Sequence, residues 1–311
     1  MLKETIYSLK APYRDELRIS GYRFGQGEKA ACIIGSIRGN EVQQLYVCSQ
    51  LIKALKELEA HGSIVSGKEI LVIPSVNHYS MNIGKRFWAV DNTDINRMFP
   101  GYDKGETTQR IAAGVFEEAK EYSYGIQFAS FYMPGDFVPH VRMMETGYQS
   151  ASLANLFGLP YVVIRKPRPI DTTTLNYNWQ LWETNAFSVY TKETDDIDEI
   201  SAKQAVSAVL RFLTRMGVIR YNSHSGYIAN VILEDELTSV HSDEAGIFHR
   251  FKGPGEEVHR GDVIAEVLDP YEGDVISQII APTEGIIFFS HKKPLITQRD
   301  IVCKIIRRLH E

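Results

Sequence analysis

Between residues 30 and 216 the chain alternates short apolar runs with stretches of helical periodicity, and this alternation constrains the fold more than any other feature. Residues 30–34 form an apolar run that ends in Gly35, as a buried strand delivering the Arg38-Gly39 turn at its carboxyl end would. Val42, Leu45, Val47, Leu51, Ile52, Leu55 and Leu58 then recur at helical spacing, which puts Glu41 in the first turn of an amphipathic helix. A second strand is predicted over 69–76, with Asn77 at its end, and a helix over 107–122 patterned by Ile111, Val115, Phe116 and Ala119. Further strands fall at 124–128, 161–164 and 186–192, and further helices near 151–157 and over 202–216. Strands and helices in this order imply an α/β fold, a twisted, largely parallel mixed sheet with helices on both faces. The ligand site then lies in the loops beyond the strand ends.

The pattern changes after about residue 220. Short β-rich runs at 226–233, 262–267, 273–280, 285–289 and 301–306 are punctuated by Gly and Pro, and helical periodicity disappears. With 311 residues and 44% hydrophobic content the chain can bury two cores. The expected domains are therefore 1–220, α/β, and 221–311, an all-β barrel or sandwich, with the boundary region at 215–221.

A net charge of -5, with no long run of like charge, argues against nucleic acid and anionic membrane as partners. Cys32, Cys48 and Cys303 show no metal-ligand spacing and read as reduced, buried thiols. The start of the chain carries no apolar core of a signal peptide, and no stretch approaches the length of a membrane span. These observations lead to the expectation of a cytoplasmic protein. Assembly into a homo-oligomer stays open.

The chemistry-bearing residues fall at the predicted strand ends. Ser36, Ile37, Arg38, Gly39, Asn40 and Glu41 follow the first strand; Arg86, then Asp94, Ile95, Asn96 and Arg97, then Phe99, Pro100 and Gly101 follow the second. Gln127 ends the strand at 124–128, twelve residues before Pro139, His140, Val141 and Arg142, and Thr191, Lys192 and Glu193 end the strand at 186–192. In this order the segments resemble the succinylglutamate desuccinylase/aspartoacylase branch of the zinc carboxypeptidase superfamily, over nearly the whole chain. The β-rich remainder resembles that family's C-terminal domain. The resemblance implies a zinc held by a His and a Glu of the first loop and a His ending a later strand. It also implies a substrate carboxylate held by Asn96 and Arg97, an oxyanion stabilised by Arg86, and Glu193 as general base. Glu41 matches its ligand position, whereas Arg38 and Gln127 stand where the two histidines belong.

Arginine has no lone pair for a metal and does not deprotonate, and a carboxamide oxygen is a poor zinc ligand beside imidazole. The expectation is therefore a metal site in degenerate form, with no zinc and no other cofactor. Arg38, three residues before Glu41, is placed to fold its planar fork onto that carboxylate, and onto Glu193, as an internal surrogate for the metal.

Two functions follow from the same residues. One is a catalytically silent relative that binds a small carboxylate-bearing molecule. The other is an amidohydrolase cleaving an N-acyl amino acid or peptide-like substrate. Asp94, Asn96 and Arg97 also admit a structural reading, in which they only brace the Phe99-Pro100-Gly101 turn. His140 reads as packing rather than as a replacement ligand. The Trp179 and Trp182 cluster, with Tyr177, is either a pocket cover or a packing patch. Arg165, Lys166 and Arg168 read as a solvated loop.

Overall fold

The computed structural model describes residues 1–10 and 15–308. In chain order the strands are β1 Leu2–Leu9, β2 Leu17–Gly25, β3 Gly27–Ser36, β4 Gly67–Ser75, β5 Tyr124–Ala129, β6 Gly135–Phe137, β7 His140–Met144, β8 Tyr161–Arg165, β9 Asn185–Tyr190 and β10 Asn230–Leu233. The helices are α1 Val42–Ala60, α2 His78–Met81, α3 Thr107–Ala119, α4 Ala151–Asn155, α5 Leu175–Leu181 and α6 Glu199–Arg215. Two compact units result, one from Met1–Ser130 with Pro139–Val231, the other from Phe131–Val138 with Ile232–Glu311.

The first unit is built on a mixed nine-stranded sheet in the order β1-β2-β4-β3-β5-β9-β7-β8-β10. β4, β3, β5 and β9 run parallel, as do β7 and β8, while β7 is antiparallel to β9 and the β1-β2 hairpin adds to β4 antiparallel. Side chains alternate across the sheet, as the pleat requires. Ile33, Ile126, Phe128, Phe187 and Val189 pack with α1 and α6 in one core, whereas Cys32, Ile34 and Ala186 pack with α3 and α5 in another. The strands and helices expected between residues 30 and 216 all form, with ends shifted by a few residues. The β1-β2 hairpin was not anticipated, because the half-exposed edge strand β1 reads as mixed polar sequence.

The domain limit expected at 220 differs from the compact division, which falls after Val231. The cause is local. Arg211 donates to the carbonyl of His224 at 2.7 Å, Arg215 to that of Ser225 at 2.7 Å, and the amide of Tyr227 to that of Gly158 at 3.0 Å. These bonds hold the stretch after α6 to the first unit.

In the second unit the chain continues through β11 Thr238–His241, β12 Gly246–Arg250, β13 Glu257–Val258, β14 Val263–Leu268, β15 Val275–Ile280, β16 Gly285–His291, β17 Leu295–Ile296 and β18 Ile301–Arg307. They form one sheet in the order β11-β18-β16-β13 and another in the order β15-β14-β12-β17, around a core that includes Phe248, Val258, Ile287 and Ile305. β6 joins the first of these by pairing with β16. Phe137 of β6 lies 4.6 Å from the ring of Phe289. Among the described residues no helix is long and apolar enough to cross a membrane.

Candidate functional site

The loops after β3, β4, β5 and β9 leave the same carboxyl edge of the first unit's sheet. The turn after β3 is held by the Ser36 hydroxyl, which donates to the Arg38 carbonyl at 2.7 Å, and by the Gly39 amide, which donates to the Arg86 carbonyl at 2.8 Å. Only glycine fits at 39, since a Cβ there would lie 2.2 Å from the Lys85 carbonyl oxygen. The close approach brings the Arg86 loop against the Arg38 turn.

Arg38 is buried, and its fork is spent on two acids. Nε and Nη2 reach the carboxylate of Asp94 at 3.1 and 2.8 Å, and Nη1 reaches Glu41 at 3.2 Å. Burial alone would lower its pKa, but Asp94 and Glu41 hold it above the ordinary arginine value, so the charge is permanent. Glu193, the second acid expected for this fork, is not among its partners; Asp94 takes that place. Asp94 can do so because it caps the 3₁₀ turn Ile95–Arg97, accepting from the Asn96 amide at 3.0 Å.

Glu41 is fully buried and stands at the N-cap of α1. Its Oε2 accepts from the amides of Ile37 at 2.8 Å and Arg38 at 2.9 Å, and its Oε1 from the Ser130 hydroxyl and from Arg38. A carboxylate has about four lone-pair sites. All are therefore engaged.

Arg86 is half-buried beside this pair. Burial first, then the charge of Arg38, lower its pKa, while Glu41, Asp94 and Asp195 pull the other way. Asn96 is buried, and its Oδ1 accepts from the Leu175 amide at 3.4 Å, at the start of α5. Arg97 turns aside. Its Nη1 donates to the Ile170 carbonyl at 2.7 Å and pairs with Asp171 at 3.1 Å. Asp171 is fully buried and also binds Arg165 at 2.6 Å and Arg168 at 3.3 Å. Burial would raise its pKa, but the Arg168 amide and the guanidinium groups outweigh it and hold Asp171 below the usual carboxylate range. The basic stretch read as a solvated loop is thus half of a charge cluster; the signal in the sequence was the single acid at 171 after three bases.

Gln127 is buried near the end of β5, in register with Ile34 and Ser188. Glu193 is half-buried in the loop after β9, where its carbonyl accepts from the Thr191 hydroxyl at 2.9 Å. His140 is fully buried and stacked on Tyr190 at 4.7 Å, so it packs within the sheet layer. Trp179 proves to be core, its indole donating to the Ala119 carbonyl at 3.0 Å, while Trp182 is 46% exposed.

Zinc needs three side chains with lone pairs to give. Here Arg38 has none and those of Glu41 are engaged. Among the described residues no group of three or more His, Cys, Asp or Glu is placed to hold a metal ion. The side chains at this locus do not fit the family's zinc.

This sheet, with loops converging on one carboxyl edge and an antiparallel β unit following, is of the zinc carboxypeptidase type. The chain belongs to the succinylglutamate desuccinylase/aspartoacylase family, whose catalytic-domain model matches residues 28–215. It is similar to the crystal structure of a succinylglutamate desuccinylase from Silicibacter, at 19% identity and a TM-score of 0.81 over 97% of this chain and 92% of that one. A succinylglutamate desuccinylase/aspartoacylase from Rhodobacter sphaeroides gives 19% identity and a TM-score of 0.77 over 95% and 91%. The product-bound ectoine utilization protein EutE (DoeB) from Ruegeria pomeroyi gives 19% and 0.77 over 93% and 89%. No curated protein matches in sequence.

Proposed function

We propose that this family member binds a small carboxylate-bearing ligand and carries out little or no zinc-dependent hydrolysis, with Arg38 standing in for the metal. The observation that supports this is the state of Glu41. Its four acceptor positions are filled by two backbone amides, Ser130 and Arg38 itself. A cation entering there would have to displace an already paired guanidinium. The ligand's carboxylate would be drawn to Arg86, to Asn96, and to Nε and Nη2 of Arg97, which bind no acceptor among the described residues.

A second reading, an amidohydrolase cleaving N-acyl amino acids, is favoured by the retention of Arg86 and Glu193 in loops of the same sheet edge. Elemental analysis of the purified protein and assays on N-acyl amino acids with and without added zinc separate the two. Metal well below one zinc per chain and no turnover are expected; stoichiometric zinc, or turnover abolished by Glu193→Gln, would sink the first reading. The pair Arg38→His with Gln127→His is expected to gain zinc affinity, since it restores both imidazoles.

A further inference from the structure

The edge of a sheet presents a row of unpaired N–H and C=O groups, and native proteins blunt such edges by keeping them short or by placing charge on them. Among the described strands that end a sheet, β13 and β17 have two residues each and β10 and β11 have four, while β1 carries Lys3 and Glu4. β15 has neither protection. It ends its sheet beyond β14, runs for six residues, Val-Ile-Ser-Gln-Ile-Ile, and bears no charge. Its one bulge, at Ile276, lies near the start and leaves 277–280 free of inserted residues. Ile276 and Ile280 are 42% and 48% exposed, a large share for isoleucines of a strand.

The geometry of this edge suits a second copy of itself. The Ala281 amide donates to the Asp262 carbonyl at 2.8 Å and the Ala281 carbonyl accepts from the Gly261 amide at 2.9 Å, so both backbone groups of Ala281 face the β14 side. Backbone groups alternate in direction along a strand, which turns those of Ile280 and Gln278 toward the open edge. A two-fold axis through Gln278 then joins this residue to its own copy by two reciprocal hydrogen bonds and sets Ile280 opposite the other copy's Ile276. An axis through Ser277 would instead set Ile280 opposite Asp274. Charge favours the same antiparallel arrangement. The hairpin end of β15 carries the exposed acids Glu272 and Asp274, and the other end lies beside the exposed Arg260, because Gly261 bonds Ala281. Asp262, in the same turn, is occupied by the His259 amide. The two-fold brings the acidic end of each copy within two strand spacings, about 10 Å, of the other copy's Arg260 backbone, a gap that the two side chains span.

We propose that β15 is the contact of a symmetric homodimer of this chain, in which the β15-β14-β12-β17 sheets of two copies join edge to edge into one continuous sheet. Ile276, Gln278 and Ile280 of one copy lie against Ile280, Gln278 and Ile276 of the other. One strand on one strand is a small contact beside the roughly 1,600 Å² of a standard stable interface, so the dimer is a reversible one.

Sedimentation of the full chain is expected to show a monomer–dimer equilibrium between about 1 and 100 µM. Gln278→Lys and Gln278→Glu each set like charges against one another at the axis and should each weaken the dimer about tenfold. An equimolar mixture of the two variants should return to within about threefold of wild type, because opposite charges then meet. Hydrogen exchange of wild type gives a second reading that needs no variant. Protection of the Gln278 and Ile280 amides should rise with protein concentration over the same range, while that of Ile279, whose amide faces β14, stays level. A wild type that stays monomeric throughout, a dimer unaffected by either substitution, a mixture that associates no better than its parts, or exchange at Gln278 that ignores concentration each overturns the proposal.

Discussion

Replacing Arg38 by Met keeps much of the side chain's bulk and deletes only the guanidinium, which isolates the role of its charge. Two carboxylates lose a partner, Asp94 a bidentate one and Glu41 one of four. Breaking a buried ion pair from one side costs about 3–5 kcal/mol. The lower end applies here. Glu41 keeps the Ile37 and Arg38 amides and the Ser130 hydroxyl, and the Asp94 side chain retains 16% exposure and the Asn96 amide. The expected loss is therefore about 3 kcal/mol, or about 6–12 °C in the melting of a unit of this size. Trp88, Trp179 and Trp182 all lie in the first unit, so tryptophan fluorescence in a urea titration follows that unit alone. Adding Asp94→Asn to Arg38→Met should recover part of the loss, because it removes the carboxylate left bare. A loss below about 1 kcal/mol, or no recovery in the double variant, would refute the idea that the guanidinium holds these acids together.

Other outcomes follow from the same reasoning. Asp171→Asn should cost about 3 kcal/mol by leaving Arg97 and Arg165 without their buried counter-charge, measured in the same titration. Because the folded pKa of Asp171 is depressed, its contribution is present above the unfolded value of about 3.9 and is lost as pH falls through the lower folded value. The acid limb of the stability curve should therefore flatten in the variant. His291 in the second unit is pushed down by burial, although Asp300 opposes this. The unfolded chain then binds a proton that the folded one resists, so the protection factors of the Ile287 and Ile305 amides, which are corrected for the intrinsic exchange rate at each pH, should fall below about pH 6.5 in wild type and less so in His291→Gln. Gly125→Ala should cost about 1–3 kcal/mol by driving a methyl into Trp179, read from the urea midpoint.

Much of this architecture was legible because burial on both faces of a strand leaves an unbroken apolar run, as in β3 and β4, and a helix over a core leaves a periodic stripe, as in α1 and α6. Segments with no fully buried residue, such as the edge strand β1, left too faint a mark. At the site, the residues facing the strand-end turns could be named from their order, since loops carry the chemistry on such sheets. Their pairings could not. That Arg38 would choose Asp94, and Arg97 turn to Asp171, depends on which loops meet in space, 56 and 74 residues apart in the chain.

The strand Gly135–Phe137 carries a consequence for biogenesis. It leaves the ribosome well before β16, to which it must pair, so its backbone and the side chain of Phe137 wait exposed while most of the remaining chain is made. A C-terminal fragment beginning at Ile232 would lack it altogether, baring one edge of β16 and the ring of Phe289. Such a fragment should self-associate, and a peptide spanning Phe131–Val138 should dissolve the aggregates by restoring the missing edge.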